Sequence, residues 1–248
     1  MPDGPAGLAA SNPNIQRLRR LQGRRSARRE CGTFVVEGPT LIAEALAAGW
    51  EVRGQYHAPG VEPLDGPPAH VLQPGVAEKI SDTETPTGLL AEVTMRSSPI
   101  DSLAVASFVV VAAGISDPGN LGTIMRSAEA AGVDAVVLTP GTVDPFNPKV
   151  VRSSAGALFH VPVIEASLDD VRLAGLRLIG TSSHHGVAHD RADWSGRIAL
   201  VAGNEAHGLP DDAPVDEWVR IDHAGRAESL NVAMATTVVV FAALSARR

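Results

Sequence analysis

Residues 108–132 read FVVVAAGISDPGNLGTIMRSAEAAG. The first five are apolar without polar alternation, the pattern of a strand covered on both faces and so of a parallel sheet. A glycine turn follows, after which Leu121, Ile124, Met125 and Ala128 recur at helical spacing. The stretch predicts strand, turn and amphipathic helix (121–131), with Asn120 as the N-cap. Such a turn presents backbone N–H groups and the positive end of the helix dipole, a setting that suits anions. Its glycines are spaced Gly114-x4-Gly119-x2-Gly122, which is not a dinucleotide fingerprint, and no acidic residue ends the next strand, 135–138. The Walker lysine is absent too. Nicotinamide-cofactor chemistry therefore fails on its own requirements.

Outward from this unit the alternation continues. Strands are expected at 161–164, 176–180, 198–202 and 218–221, and helices at 149–157 and 230–244. Before it, strands at 34–36, 52–57 and 88–93 with helices at 40–48 and 76–80 make a smaller α/β unit. The chain thus divides into a Pro/Gly/Ala-rich segment without structure (1–14), a first domain (15–95), a linker around Pro99 (96–105) and an α/β domain with a parallel sheet (106–248).

Net charge is −7, yet residues 1–30 carry Arg17, Arg19, Arg20, Arg24, Arg25, Arg28 and Arg29 against Asp3 and Glu30. That segment is +5 and the remainder −12. A basic arm on an acidic body suits a polyanionic partner; the plainer reading is a solvated helix face. The single cysteine, Cys31, forms no internal disulfide, which fits a reducing cytoplasm. No signal peptide is visible, and the longest apolar run, 232–244, is short for a bilayer and interrupted by Thr236 and Thr237. A soluble protein is expected.

Two further segments carry chemistry. Gly203-Asn204-Glu205, with Gly208-Leu209, places an acid just past a buried strand, where α/β sheets bind ligands and where glycine lets backbone approach them. Glu228-Ser229-Leu230-Asn231 opens the last helix, with Ser229 as its expected N-cap. That helix is apolar on nearly all sides, so it belongs to a core or a subunit interface. Read alone, Arg126 is a solvated arginine paired at i+3 with Glu129. His184, His185, His189 and Asp190 match no zinc spacing, so no metal is expected. No Gly-x-Ser-x-Gly elbow is present for hydrolase chemistry.

Taken in order, these segments resemble the SpoU/TrmH class of SPOUT RNA methyltransferases. The resemblance rests on the Asn-x-Gly-x-Ile-x-Arg run from Asn120 to Arg126, the Gly-Asn-Glu-x-x-Gly-Leu run from Gly203, and Ser229-Leu230-Asn231. Lys149-Val150-Val151-Arg152, with Ser154, Gly156 and Ala157, is similar to a fourth family segment. Phe34-Val35-Val36-Glu37-Gly38, Ser81-Asp82-Thr83 and Pro86-Thr87-Gly88 resemble the ribosomal-protein-like RNA-binding domain of rRNA-directed members.

The resemblance implies a trefoil-knotted parallel sheet as the C-terminal domain, S-adenosylmethionine as cofactor, and a homodimer with composite active sites. It implies methyl transfer to a ribose 2′-hydroxyl of RNA, large-subunit rRNA before tRNA. A non-catalytic RNA-binding module is the other alternative. The implied catalytic residues are Asn120, Arg126, Glu205, Ser229 and Asn231; the implied cofactor contacts are Thr181, Ser182, Gly203, Asn204, Glu205, Ile221 and Leu230. Arg17, Arg20, Arg24, Arg25, Arg28, Lys149 and Arg152 are the expected RNA contacts. Where the family often has Ile-Pro-Met, this chain has Ile221-Asp222-His223, and only backbone is expected to act there.

Overall fold

The computed structural model describes residues 7–248. The chain forms two compact units: residues up to Arg96 together with Phe146–Phe159, and Ser97–Pro145 together with His160–Arg248.

In the first unit, helices α1 (Pro13–Gly23) and α2 (Arg25–Cys31) precede strand β1 (Thr33–Glu37) and helix α3 (Pro39–Ala47). Strands β2 (Val52–His57) and β3 (Ala69–Val71), helix α4 (Val76–Ile80) and strand β4 (Leu89–Thr94) follow. The sheet order is β1-β4-β2-β3, antiparallel except for the β2/β3 pair. Ile15, Leu18 and Leu21 of α1 are fully buried and pack with Val35, Tyr56, Leu72 and Leu90. The pleat sends Phe34 to the opposite face. There it meets Trp50, Phe146 and Phe159, and the Trp50 indole donates to the Phe159 carbonyl at 3.0 Å. This aromatic cluster explains why 146–159, which the sequence places inside the second domain, packs with the first unit. The segment carries α6 (Pro148–Ser153) and a 3-10 turn (Ala157–Phe159) where one helix, 149–157, is expected.

The N-terminal expectations change as well. Leu8 bridges to Leu72, and Asn12 caps α1, so residues 7–14 are tied into the unit; residues 1–6 of the expected unstructured segment lie outside the described residues. The Arg-rich stretch is two helices, not one: it breaks at Arg24, whose φ of −133° is extended. Arg28 fills the break: it is 3% exposed and donates to the carbonyls of Leu21 (2.5 Å) and Gln22 (3.1 Å), which the end of α1 leaves unsatisfied. Arg17 bonds the buried carboxylate of Glu92 at 2.7 Å, which also accepts from the Thr33 hydroxyl. The basic arm is thus a folded helical pair, with two of its arginines holding the unit together.

The second unit is a seven-stranded, wholly parallel sheet. Its strands are β5 (Phe108–Ala112), β6 (Ala135–Leu138), β7 (Val163–Glu165), β8 (Arg177–Thr181), β9 (Val187–Ala188), β10 (Ile198–Ala202) and β11 (Glu217–Arg220). Their order is β7-β6-β5-β10-β8-β11-β9. The strands β5, β6 and β10 are buried throughout, as their uninterrupted apolar runs require of a sheet covered on both faces. The strand order reverses at β5/β10, so carboxyl-end loops diverge there and leave a crevice.

Helix α5 (Pro118–Ala130) is capped by Asp117, which accepts from the Asn120 backbone; the expected cap, Asn120, is released for other bonds. Helix α8 (Val232–Ala246) is capped by Asn231 rather than Ser229. Helix α7 (Leu168–Leu173), which the sequence reading omits, starts from a reciprocal Ser167/Asp170 capping box. Helices α5 and α8 pack together, with Ser127 and Thr237 hydroxyls 2.6 Å apart. Helix α8 buries Ala233, Thr236, Val239, Val240 and Ala243 but exposes Met234 (65%), Val238 (42%) and Phe241 (40%). Among the described residues no helix is long and apolar enough to cross a membrane.

Candidate active site

Three loops leave the carboxyl ends of the adjacent strands β10, β8 and β11, and enclose a cavity of about 390 Å³. Its walls come from 181–185, 203–211 and 221–230, with Val232, Ala235 and Val239 of α8 beneath. All seven expected cofactor contacts, Thr181, Ser182, Gly203, Asn204, Glu205, Ile221 and Leu230, line it. The volume lies in the range of small-molecule sites.

The loop after β10 shows why its motif has that spacing. A Cβ on Gly203 would overlap the backbone of Gly208 and Leu209, so only glycine lets the turn close. Asn204 and Gly208 exchange backbone bonds of 3.1 and 2.8 Å, and Gly208 takes φ +67°. The Asn204 amide donates to the Gly114 carbonyl at 2.9 Å, while its oxygen accepts from the Ala206 and His207 backbones. Leu209 packs against the sheet's core.

Glu205 joins this loop to the one after β5. Its carboxylate accepts from the Ser116 and Asp117 backbones (3.1 and 2.9 Å), the Ser116 hydroxyl (3.0 Å) and the Asn120 amide (3.1 Å). Burial alone would raise this carboxyl. The Asp117 and Ser116 N–H groups and the Asn120 amide outweigh burial and bring it down to about 2. The Asn120 oxygen in turn accepts from the Asn231 amide at 2.9 Å, and Asn231 caps α8. Glu205, Asn120 and Asn231 therefore form one hydrogen-bonded chain linking β10, α5 and α8.

Ser229 lies on the cavity wall. Arg126 does not: it is exposed on α5, and neither the expected pairing with Glu129 nor any other hydrogen bond or ion pair engages it among the described residues. The expected polyanion contacts divide similarly. Arg20, Arg24, Arg25 and Lys149 are exposed, Arg152 pairs across 3.5 Å with Asp82, and Arg17 and Arg28 serve the first unit's interior. The sequence weighs His184 and His185 only as metal ligands, expects only backbone to act at His223 and does not single out His207, yet all four line the cavity. Among the described residues no group of three or more His, Cys, Asp or Glu side chains is placed to hold a metal ion.

The SpoU rRNA Methylase family model matches residues 107–241, and an MRM3-like substrate binding domain matches residues 12–91. The 23S rRNA (guanosine(2553)-2′-O)-methyltransferase RlmP of Bacillus subtilis is 34% identical over 94% of this chain and 96% of its own length. The SpoU methyltransferase AviRb of Streptomyces viridochromogenes, solved in complex with AdoMet, superposes with a TM-score of 0.86 at 30% identity, covering 95% of this chain and 98% of that one. The AdoMet-bound rRNA methyltransferase of Sinorhizobium meliloti gives 0.83 at 30% identity, covering 94% of each chain. Matched along nearly its whole length, with the sheet's carboxyl-end loops built as above, the chain belongs to the SpoU rRNA methylase family and has its SPOUT fold.

Proposed function

We propose that the chain is an S-adenosylmethionine-dependent methyltransferase that acts on a ribose 2′-hydroxyl of large-subunit rRNA. The observation that carries this is the coincidence of the seven implied cofactor residues on one cavity at the sheet's carboxyl edge. The donor set fits: a glycine where backbone must approach, hydroxyls on Thr181 and Ser182, and a carboxylate wall. S-adenosylmethionine, when bound, supplies a methyl group already activated on a sulfonium. The protein's task is then to align donor and acceptor and to manage the hydroxyl proton.

Glu205, Asn120 and Asn231 act in this reading as positioning residues, fixing the donor loop against α5 and α8. Ser229 faces the ribose. Arg126 acts as a cation and not as a base: it stabilises the developing alkoxide or grips the neighbouring phosphate.

Arg126 lies outside its own chain's cavity, which supports a homodimer in which it serves the partner's site. The exposed Met234, Val238 and Phe241 at i, i+4 and i+7 on α8 are the apolar stripe such a pairing buries. A trefoil knot in the C-terminal domain and a cytoplasmic location belong to the same reading. The first unit supplies RNA affinity through its exposed arginines.

Ribose-methylation mapping of 23S rRNA from cells with and without the gene tests the function, together with methyl transfer from labelled cofactor in vitro. An unchanged rRNA map, with transfer to tRNA instead, would overturn the substrate assignment. Mixing Arg126→Ala with a cavity-disabled Gly203→Val chain tests the composite site. Recovery of activity in the mixture is expected, and none means that each chain works alone.

A further inference from the structure

Four of the chain's eight histidines, His184, His185, His207 and His223, stand on the wall of one cavity. They come from all three carboxyl-end loops, so the ring is a property of the site and not of one segment. Two are held in place by one ring nitrogen: His185 Nδ1 lies 3.1 Å from the Ser182 hydroxyl with its ring 4.7 Å from Trp218, and His223 Nδ1 lies 3.1 Å from the Ala227 carbonyl. A carbonyl only accepts, so Nδ1 of His223 is the donor in that contact. The other ionisable groups on the cavity are Glu205, Asp211 and Glu228. Glu205, at about 2, stays charged.

We infer that these histidines are specificity determinants for the charge of the bound cofactor, admitting the sulfonium donor while neutral and favouring its thioether product once protonated. This rests on the donor-site reading given above. The donor carries a fixed positive charge at sulfur, and methyl transfer removes it. A neutral imidazole wall is indifferent to that charge; an imidazolium wall repels the donor and spares the product. Charge repulsion across a cavity of this size, at an effective dielectric between the protein-surface and water values, changes affinity roughly five- to tenfold. The ordinary imidazole range lies between pH 8 and pH 5.5 and the ordinary carboxylate range below it, so comparing these two pH values asks for an imidazole response. Donor affinity is therefore expected to be higher at pH 8 than at pH 5.5.

The test is calorimetry of S-adenosylmethionine and S-adenosylhomocysteine on the full chain at pH 8 and pH 5.5. The donor-to-product affinity ratio is expected to fall about tenfold on acidification, with donor binding releasing more protons than product binding when buffers of different ionisation enthalpy are compared. In the double variants His207→Asn/His223→Asn and His184→Asn/His185→Asn the ratio flattens; His184, His185 and His207 are exposed and His223 is half-buried, so folding is retained. A ratio that stays constant with pH, or falls as steeply in both double variants, overturns the inference while leaving the donor site standing. Failure of both ligands to bind at pH 8 overturns the site reading itself.

Discussion

Glu92 in the first unit and Glu205 in the second are carboxylates with both oxygens hydrogen-bonded, yet they do opposite work. Glu92 is 3% exposed inside a sheet and holds Arg17 and Thr33, so its bonds define a domain interior. Glu205 lies at a strand end, and its partners are N–H groups of a neighbouring loop, so its bonds define the wall of a cavity. Residue type does not separate the two; the identity of the donors does. A carboxylate bound by a guanidinium and a hydroxyl stabilises packing, whereas one bound by backbone amides fixes loop geometry.

The division predicts that changes in the second unit alter chemistry or donor binding, and changes in the first alter stability or RNA affinity. Arg126→Ala should give the largest effect, a loss of turnover of roughly 10²- to 10³-fold with donor affinity unchanged by calorimetry. Equal loss of both would place Arg126 in the donor site and remove its assigned role. Glu205→Gln comes next, because its NH₂ must face an N–H donor. Donor affinity should fall by about 1–3 kcal/mol, with RNA affinity retained in a filter-binding assay.

The Glu205 carboxyl also has a pH signature. Its folded value is depressed to about 2, so the stability it contributes is present above its unfolded value near 4.5 and is lost as pH falls through about 2. Acid unfolding followed by circular dichroism should lose that component in Glu205→Gln. Glu92→Ala should cost about 2–3 kcal/mol in urea unfolding, because a charged partner is left behind, softened by the 37% exposure of Arg17. Donor binding should survive it; coupled loss would merge the two regions into one cooperative unit. The smallest effect belongs to Arg20→Ala with Arg24→Ala. It should reduce the slope of log affinity for rRNA against log salt by about one to two, and an unchanged slope would move the RNA contacts elsewhere.

Much of this was legible in the residues. β5, β6 and β10 fall where the apolar runs at 108–112, 135–138 and 198–202 end, because a buried parallel strand carries its own boundaries. Caps were harder. Asn120 and Ser229 have the right chemistry for helix N-termini, but Asp117 and Asn231 take those positions, since the Asn120 side chain is needed between Glu205 and Asn231. Local propensity cannot register a bond that spans 85 or 111 residues. Arg17 and Arg28 misled for the same reason: charge counting treats an arginine as solvated until its partner, Glu92 or a helix-end carbonyl, is known.

The aromatic cluster of the first unit has a consequence for the order of synthesis. Phe34 and Trp50 leave the ribosome long before Phe146 and Phe159, so one face of the small sheet stays open until more than half the chain has been made. A fragment ending at Arg96 would carry that open face permanently, exposing two large rings, and would associate with itself rather than behave as a free RNA-binding module.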